Sequence, residues 1–336
     1  MYSLQYLRGV ASLSIVLYHA EAGLNVYRRN DFQLSLFSWG SAAVPLFFVL
    51  SGFVVALAGD QRPRPALVFI YSRFARLYPA YLLVASLFIT ALAVLPRSLF
   101  NQPLPINMAG IAKTLFFEYG QISGYVYVGW VLFYEVCFYL AFSLVIARFR
   151  QISCASWFHY LISMGLLFAA VSGLVVPGYF LAGLAAFLLL RSAESRSLLS
   201  VGPLALTLCV IVNGFRSPLS LICFGIVVGL VLLECGAFAP NLFRRPNKFL
   251  LALGDSSYSI YLVQVLTVSA CLKLSRAALL AFAPGLPLSN SYLLYWFTVV
   301  GLSLLTTVLA GLWMRRYIEK PSFLWLMQWL PAGLPG

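Results

Sequence analysis

Long apolar runs, separated by short polar or charged segments, make up most of this chain of 336 residues. A helix that spans a bilayer needs about 20 predominantly apolar residues. Uncharged runs of this length predict ten membrane-spanning helices. The predicted spans cover about 4–21, 39–58, 73–95, 126–147, two helices between Arg150 and Arg191 that are separated at Pro177-Gly178, and then about 198–214, 217–236, 256–274 and 291–314.

The segments between these runs complete the predicted topology. Residues 96–124 are expected to form a loop with a short semi-polar stretch around 113–119, and Gly254-Asp255-Ser256-Ser257 is a helix-start signal for the ninth span. The tail RRYIEKPSFLWLMQWL is amphipathic and is expected at the membrane interface. Ten spans place both termini on one side. About two thirds of the 22 Lys and Arg residues fall on that side, which predicts cytoplasmic termini.

Composition narrows the class of protein. Hydrophobic residues make up 62 % of the chain and charged residues 9 %, whereas soluble domains average about 25 % charged. We therefore expect an all-α integral membrane protein, with one transmembrane domain over residues 1–336 and no appended soluble domain. The net charge of +13 is assigned to cytoplasmic loops, because no basic run with interleaved aromatic residues indicates a nucleic-acid partner. Six cysteines without a CxxC pair and only two histidines predict no metal site.

The first predicted helix carries two ionisable residues, Arg8 and His19, that lie eleven positions apart. At about 100° per residue they project from one face, with an axial separation of about 16 Å. Ionisable groups in a spanning helix are costly unless they face the protein interior or a wet cavity, so the pair indicates a functional site. The alternative is that Arg8 is an interfacial anchor and His19 lies near the outer surface.

Three further charged residues are candidates for the same site. Arg73 and Arg76 share a helix face at the start of the third span and are suited to bidentate binding of phosphate, although paired arginines at a cytoplasmic helix end are also typical anchors. Glu135 is the one acidic residue predicted near the middle of a span. At a depth similar to that of His19, it is predicted to orient or charge the imidazole. The alternative is a neutral carboxyl that holds helices together.

Polar residues in the second and ninth spans are candidates for the substrate site. Ser51 precedes Gly52, and close helix packing is the favoured interpretation of this small pair, with a substrate-site role for Ser51 as the other. Tyr258 and Gln264 lie in SSYSIYLVQ. A glutamine amide in the middle of a span must be hydrogen-bonded, so we expect Gln264 to have a role beyond packing.

Six motifs in chain order resemble those of the membrane acyltransferase-3 family. They are LRGVASLSIVLYH, VPLFFVLSGFVV, RFARLYPAY, GWVLFYEVCFY, SSYSIYLVQ and RYIEKP. The resemblance places the family's arginine–histidine motif on Arg8 and His19, its RxxR motif on Arg73 and Arg76, and its membrane glutamate on Glu135. Many members have a histidine where this chain has Gln264, so no proton-transfer role carries over to that position.

The resemblance implies an O-acyltransferase of the bacterial inner membrane, similar to the exopolysaccharide acetyltransferases. Its donor is expected to be acetyl-CoA or another short acyl-CoA, with its phosphates on Arg73 and Arg76. Its acceptor is expected to be a polysaccharide or a lipid-linked sugar. His19, assisted by Glu135, is expected to be the general base or a transient acyl carrier, with Arg8 or Ser51 near the carbonyl oxygen.

Two other hypotheses account for the same residues. A transporter or flippase for a small anion or a lipid-linked sugar would use the same buried Arg, His and Glu side chains as a relay or a binding site. A non-catalytic scaffold of a polysaccharide-export complex would tolerate substitution of His19 and Glu135.

Overall fold

The computed structural model describes residues 1–26, 35–61, 65–95, 106–117, 125–146, 175–194, 222–223, 225–227, 229–230, 246–282 and 288–330. These ranges contain helices and no strand, which confirms the all-α prediction for this part of the chain. The helices are α1 (Tyr2–Val26), α2 (Ala43–Gln61, preceded by a 3-10 turn Ser38–Ala42), α3 (Ala66–Val94), α4 (Met108–Leu115), α5 (Gly129–Ile146), α6 (Val175–Glu194), α7 (Lys248–Asp255), α8 (Ser257–Phe282), α9 (Leu288–Met314) and α10 (Lys320–Met327), with a π-helical segment Arg315–Glu319 between the last two.

Within these ranges, four helical segments are long and apolar enough to cross a membrane: Ser38–Gln61, Ala66–Val94, Ser257–Ala278 and Leu293–Met327. They correspond to the second, third, ninth and tenth predicted spans. The first and fourth predicted spans are helices too, α1 and α5. The predicted helices at about 198–214, 217–236 and in the first half of 150–191 lie wholly or largely outside the described residues. The count of ten spans and the cytoplasmic termini stay predictions.

The predicted helix-start signal of the ninth span coincides with a helix junction in the structure. Pro177 and Gly178, where a break between two helices was predicted, lie within α6 near its first described residue, Val175. The predicted start signal at 254–257 is the junction of α7 and α8, where the helix is interrupted at Ser256. Asn247 caps α7 by accepting hydrogen bonds from the backbone N–H groups of Phe249 and Leu250.

Small residues bring the helix backbones close together, as the packing alternative for Gly52 predicts. A Cβ at Gly52 on α2 would collide with the Phe180 carbonyl oxygen of α6, and a Cβ at Gly183 would collide with the Val49 carbonyl oxygen. The two glycines therefore permit a close crossing of α2 and α6. A similar contact joins α1 to α7, because a Cβ at Gly254 would collide with the Gln5 carbonyl oxygen.

Helix α1 lies at the centre of the described fold and packs against α2, α7, α8 and α9. Helix α8 is tied to its neighbours by two tyrosines. The Tyr258 hydroxyl donates a hydrogen bond to the Leu77 carbonyl of α3 (2.6 Å), and the Tyr261 hydroxyl donates to the Val128 carbonyl just before α5 (3.1 Å). These contacts align one face of α8 with α1, α3 and α5.

Candidate functional site

A cavity of about 80 Å³ lies where α1, α2, α3, α5 and α8 meet, and we call it the arginine cavity. All the predicted site residues except His19 and Gln264 contribute to its lining. Its polar lining consists of Arg8, Ser51, Arg73, Arg76, Glu135, Tyr139, Ser257, Tyr258 and Tyr261. Five helices therefore bring polar side chains to one place, and four of them, all except α2, contribute ionisable residues.

Three arginines and one glutamate supply the ionisable side chains of this lining, together with tyrosines. The Arg73 guanidinium lies over the rings of Phe69 (5.2 Å) and Tyr139 (5.4 Å), a cation–π arrangement that holds it in one orientation. Arg8 has Arg76 and Glu135 among its electrostatic neighbours. The excess of positive charge in an enclosed space favours an anionic ligand.

The Glu135 carboxylate is fixed by its own helix and by α2. Ser51 Oγ donates a hydrogen bond to Glu135 Oε1 (2.8 Å), and the Tyr139 hydroxyl donates to the same oxygen (3.2 Å). The predicted direct contact between Glu135 and His19 is not formed, since among the described residues each side chain has other partners. The physical reason is that α5, which carries Glu135, packs against α2 and α3, whereas the His19 side chain contacts Gln264 of α8.

His19 is paired with Gln264, and the two residues are called here the His19–Gln264 pair. His19 Nδ1 lies 3.2 Å from Gln264 Oε1. The edge-on ring of Tyr127, 5.1 Å away between centroids, restricts rotation of the half-buried imidazole. Gln264 is 0 % exposed, and its Nε2 has no hydrogen-bond partner among the described residues. On α8 the amide lies one helical turn beyond Tyr261, so the pair adjoins the cavity without lining it.

Glu319 is a site residue that the sequence reasoning missed. The carboxylate is 0 % exposed although it belongs to the tail that was expected at the interface. It accepts hydrogen bonds from Arg315 Nη1 (2.8 Å) and Ser259 Oγ (2.6 Å), and one oxygen lies 4.0 Å from Arg76 Nε. In the sequence, the feature that pointed to a buried, charge-paired Glu319 was the RYIEKP motif, in which this acidic residue lies between basic ones.

Two cavity residues were also not singled out from the sequence. Tyr139 lies one turn after Glu135 on α5, at the spacing that places two side chains on one helix face. Ser257 begins α8, and its buried Oγ lines the cavity without a hydrogen-bond partner among the described residues. A polar residue at the helix start beside Tyr258 was the signal for it.

Comparison with known proteins agrees with the motifs. A family model described as an acyltransferase domain, the acyltransferase-3 model, matches residues 1–315. The chain is 28 % identical over 271 residues to the exopolysaccharide production protein ExoZ of Rhizobium meliloti (strain 1021), an alignment that covers 72 % of this chain and 80 % of ExoZ. It is 41 % identical over 85 residues to protein 2 in the picA locus of Rhizobium radiobacter, covering 24 % of this chain and 40 % of that protein. No solved structure matches the chain at a significant level.

Proposed function

Because this chain belongs to the acyltransferase-3 family of membrane proteins, we propose that it transfers a short acyl group from acyl-CoA to a hydroxyl of an exopolysaccharide or of its lipid-linked precursor. Acetyl is the proposed acyl group, and the inner membrane, with the donor on the cytoplasmic side, is the proposed location. The similarity to ExoZ, an exopolysaccharide production protein, supports this class of acceptor.

The observation that carries the proposal is the convergence of Arg8, Arg73 and Arg76 on one cavity. Arginines that served only as interfacial anchors would project into the lipid headgroups. Here they line a cavity in the protein, beside one carboxylate and several hydroxyl groups. Guanidinium groups match phosphate oxygens in a bidentate way, and a coenzyme A thioester brings phosphates together with the acyl group.

The reaction balances without a further co-reactant. The acceptor hydroxyl oxygen attacks the thioester carbonyl, a C–O bond forms, the C–S bond breaks, and coenzyme A leaves as its thiol. His19 takes the hydroxyl proton and passes it to the sulfur. An imidazole has a reference pKa of about 6.5, which suits this task near neutral pH.

Negative charge develops on the thioester carbonyl oxygen during the attack, so a hydrogen-bond donor must face it. Ser51 is a poor choice because its hydroxyl already donates to Glu135. Tyr258 and Tyr261 donate to backbone carbonyls. Arg8, the remaining charged donor of the lining besides Arg73 and Arg76, lies about 16 Å from His19 along α1, so we assign it with them to the donor's phosphates rather than to this oxygen.

The test is the ester content of exopolysaccharide from a strain that lacks this gene, complemented with wild type or with His19→Ala. Mild alkali releases the ester-bound acyl groups, and chromatography identifies them. We expect the acyl ester to be lost in the deletion strain and restored by wild type alone, with His19→Ala present at normal levels in the membrane. An unchanged ester content in the deletion strain contradicts the proposal.

A second measurement separates an acyltransferase from a transporter. Purified full-length protein in lipid vesicles is given labelled acetyl-CoA and deacylated exopolysaccharide. We expect free coenzyme A thiol to appear together with label on the polysaccharide. If acetyl-CoA stays intact while the polysaccharide or its precursor crosses the vesicle membrane, the protein is a transporter instead.

A further inference from the structure

Gln264 is a buried polar residue that the proposed reaction leaves without a task. It lies in α8, within a segment apolar enough to span the membrane, and none of its surface is exposed. Burying an amide costs free energy unless its donor and its acceptor are both hydrogen-bonded. Here only half of that requirement is met, because Nε2 has no hydrogen-bond partner among the described residues.

What the amide does contact is His19. Its oxygen lies 3.2 Å from His19 Nδ1, and this is the one hydrogen bond recorded for the Gln264 side chain within the described ranges. The two residues lie 245 positions apart, so the contact depends on how α1 packs against α8. A polar side chain that is only half satisfied, and that has the imidazole as its partner, is best explained by an effect on the imidazole.

The chemistry of the contact defines that effect. An amide oxygen only accepts hydrogen bonds, so the nitrogen that faces it, Nδ1, carries the ring proton. In a neutral imidazole the other nitrogen, Nε2, then has the lone pair. We infer that Gln264 is a positioning residue that holds His19 as the Nδ1–H tautomer, with Nε2 as the basic atom.

Two features of the surroundings strengthen this assignment. The ring of Tyr127 lies edge-on to His19, which opposes the ring flip that would exchange the two nitrogens. No carboxylate contacts His19 among the described residues, since Glu135 is engaged by Ser51 and Tyr139. An amide orients the ring without adding a negative charge, so it does not favour imidazolium in the way that a carboxylate does. The ring is then neutral and ready to accept a proton.

The catalytic meaning of this inference rests on the proposed acyl transfer, whereas the tautomer is a property of the resting protein. The tautomer is therefore measured first, by nuclear magnetic resonance of full-length protein in lipid bilayers with nitrogen-15-labelled histidine. The chain has two histidines, so His159→Gln leaves His19 as the source of the histidine signal. We expect a protonated Nδ1 and an unprotonated Nε2. A neutral ring with the proton on Nε2 overturns the inference, whether or not the protein proves to be an acyltransferase.

Variants at Gln264 then test whether its amide is what keeps the proton of His19 on Nδ1. Gln264→Leu removes the acceptor, and we expect the Nδ1–H signal to give way to the Nε2–H form or to a mixture. Gln264→Glu retains an acceptor oxygen, and we expect Nδ1 to stay protonated. Gln5→Leu is the matched control, because this glutamine of α1 has a buried Oε1 with no hydrogen-bond partner in the described part of the chain and lies fourteen positions from His19 on the same helix. If Gln264→Leu keeps the full Nδ1–H signal, the inference that the Gln264 amide holds this tautomer is overturned.

Kinetics connect the tautomer to the reaction. With acetyl-CoA and deacylated exopolysaccharide, we expect Gln264→Leu to lower kcat at least about tenfold, a part of the roughly 100-fold or more that general-base catalysis supplies. KM for acetyl-CoA should stay near the wild-type value, and Gln264→Glu should recover part of kcat. An unchanged kcat in a leucine variant contradicts the positioning role. An inactive wild type counts against the proposed function alone, because the tautomer measurement does not depend on it.

Discussion

The arginine cavity and the His19–Gln264 pair are neighbours along α1 and α8, yet they differ in how their polar groups are satisfied. In the cavity, Glu135 accepts two hydrogen bonds on one oxygen, and the hydroxyls of Tyr258 and Tyr261 are held by backbone carbonyls. At the pair, a single hydrogen bond of 3.2 Å joins a half-buried ring to a fully buried amide.

The difference fits two separate tasks. Charged groups held by several contacts make a rigid, positively charged surface, which suits the binding of a polyanionic donor. A ring held through one nitrogen keeps its other nitrogen available for proton transfer. Substitutions in the cavity are therefore expected to change mainly KM, and substitutions at the pair mainly kcat.

Removal of His19 is expected to have the largest effect. In purified protein, His19→Ala should lower kcat by about 100-fold or more, the usual contribution of a general base, with KM for acetyl-CoA little changed. The other histidine supplies the control, since His159→Ala should keep its activity. A His19→Ala variant that acylates at the normal rate would remove the pair from the chemistry.

Neutralising the α3 arginines should have the opposite kinetic signature. We expect Arg73→Gln and Arg76→Gln each to raise KM for acetyl-CoA by about tenfold, because each loses a charge-assisted hydrogen bond to phosphate. Arg316→Gln is the matched control, since that guanidinium lies over the Tyr317 ring, 5.3 Å from its centroid, and does not line the cavity. A lower kcat with an unchanged KM would contradict the division between the two regions.

Glu319 tests how the cavity is held together. Glu319→Gln removes the charge that balances Arg315 and lies near Arg76, which leaves guanidinium groups without their carboxylate. We expect a loss of roughly 1–3 kcal/mol in the free energy of unfolding, measured by thermal or denaturant unfolding in detergent. Glu21→Gln is the comparison, because that carboxylate accepts hydrogen bonds only from the backbone N–H groups of Leu36 and Phe37, among the described residues. Equal destabilisation of the two variants would show that the arginines do not depend on Glu319.

Ser51 should give the smallest effect. Ser51→Ala removes one of the two hydrogen bonds to Glu135 Oε1 and leaves the bond from Tyr139. A typical net hydrogen bond corresponds to about 1 kcal/mol, so we expect activity to fall by roughly two- to tenfold. Ser143→Ala on α5 is the control, because that hydroxyl donates to the Leu140 carbonyl of its own helix and, within the described ranges, does not contact Glu135. A loss as large as that of His19→Ala would assign Ser51 to the chemistry itself.

The sequence predicted well what depends on neighbouring residues. Uncharged runs long enough to span a bilayer correspond to helices wherever the structure describes them. The length and apolarity of a run are properties of consecutive residues, so they can be determined without knowing the tertiary structure. Gly52 at a close helix crossing followed from residue size. The family was also predicted from the motifs, and the match over residues 1–315 confirms it.

The prediction was weaker wherever it needed partners from different helices. Glu135 was expected beside His19 from its depth alone, but depth does not say which neighbour a side chain faces. Its hydroxyl partner on α2 lies 84 positions away in the chain. Glu319 was assigned to an interfacial tail because its segment is amphipathic, whereas packing of the tail against α3 buries the carboxylate beside Arg76.

By itself, then, the sequence determined that this is a helical membrane protein of the acyltransferase-3 family, with Arg8 and His19 in one helix and Arg73 and Arg76 one turn apart in another. Helical periodicity and hydropathy are local properties, and a sequence displays them directly. Only the tertiary structure decided that Gln264 meets His19, that Ser51 meets Glu135 and that Glu319 lies beside Arg76. Those pairings depend on which faces of separate helices pack together, and apolar helix surfaces do not encode that choice in any short stretch of residues.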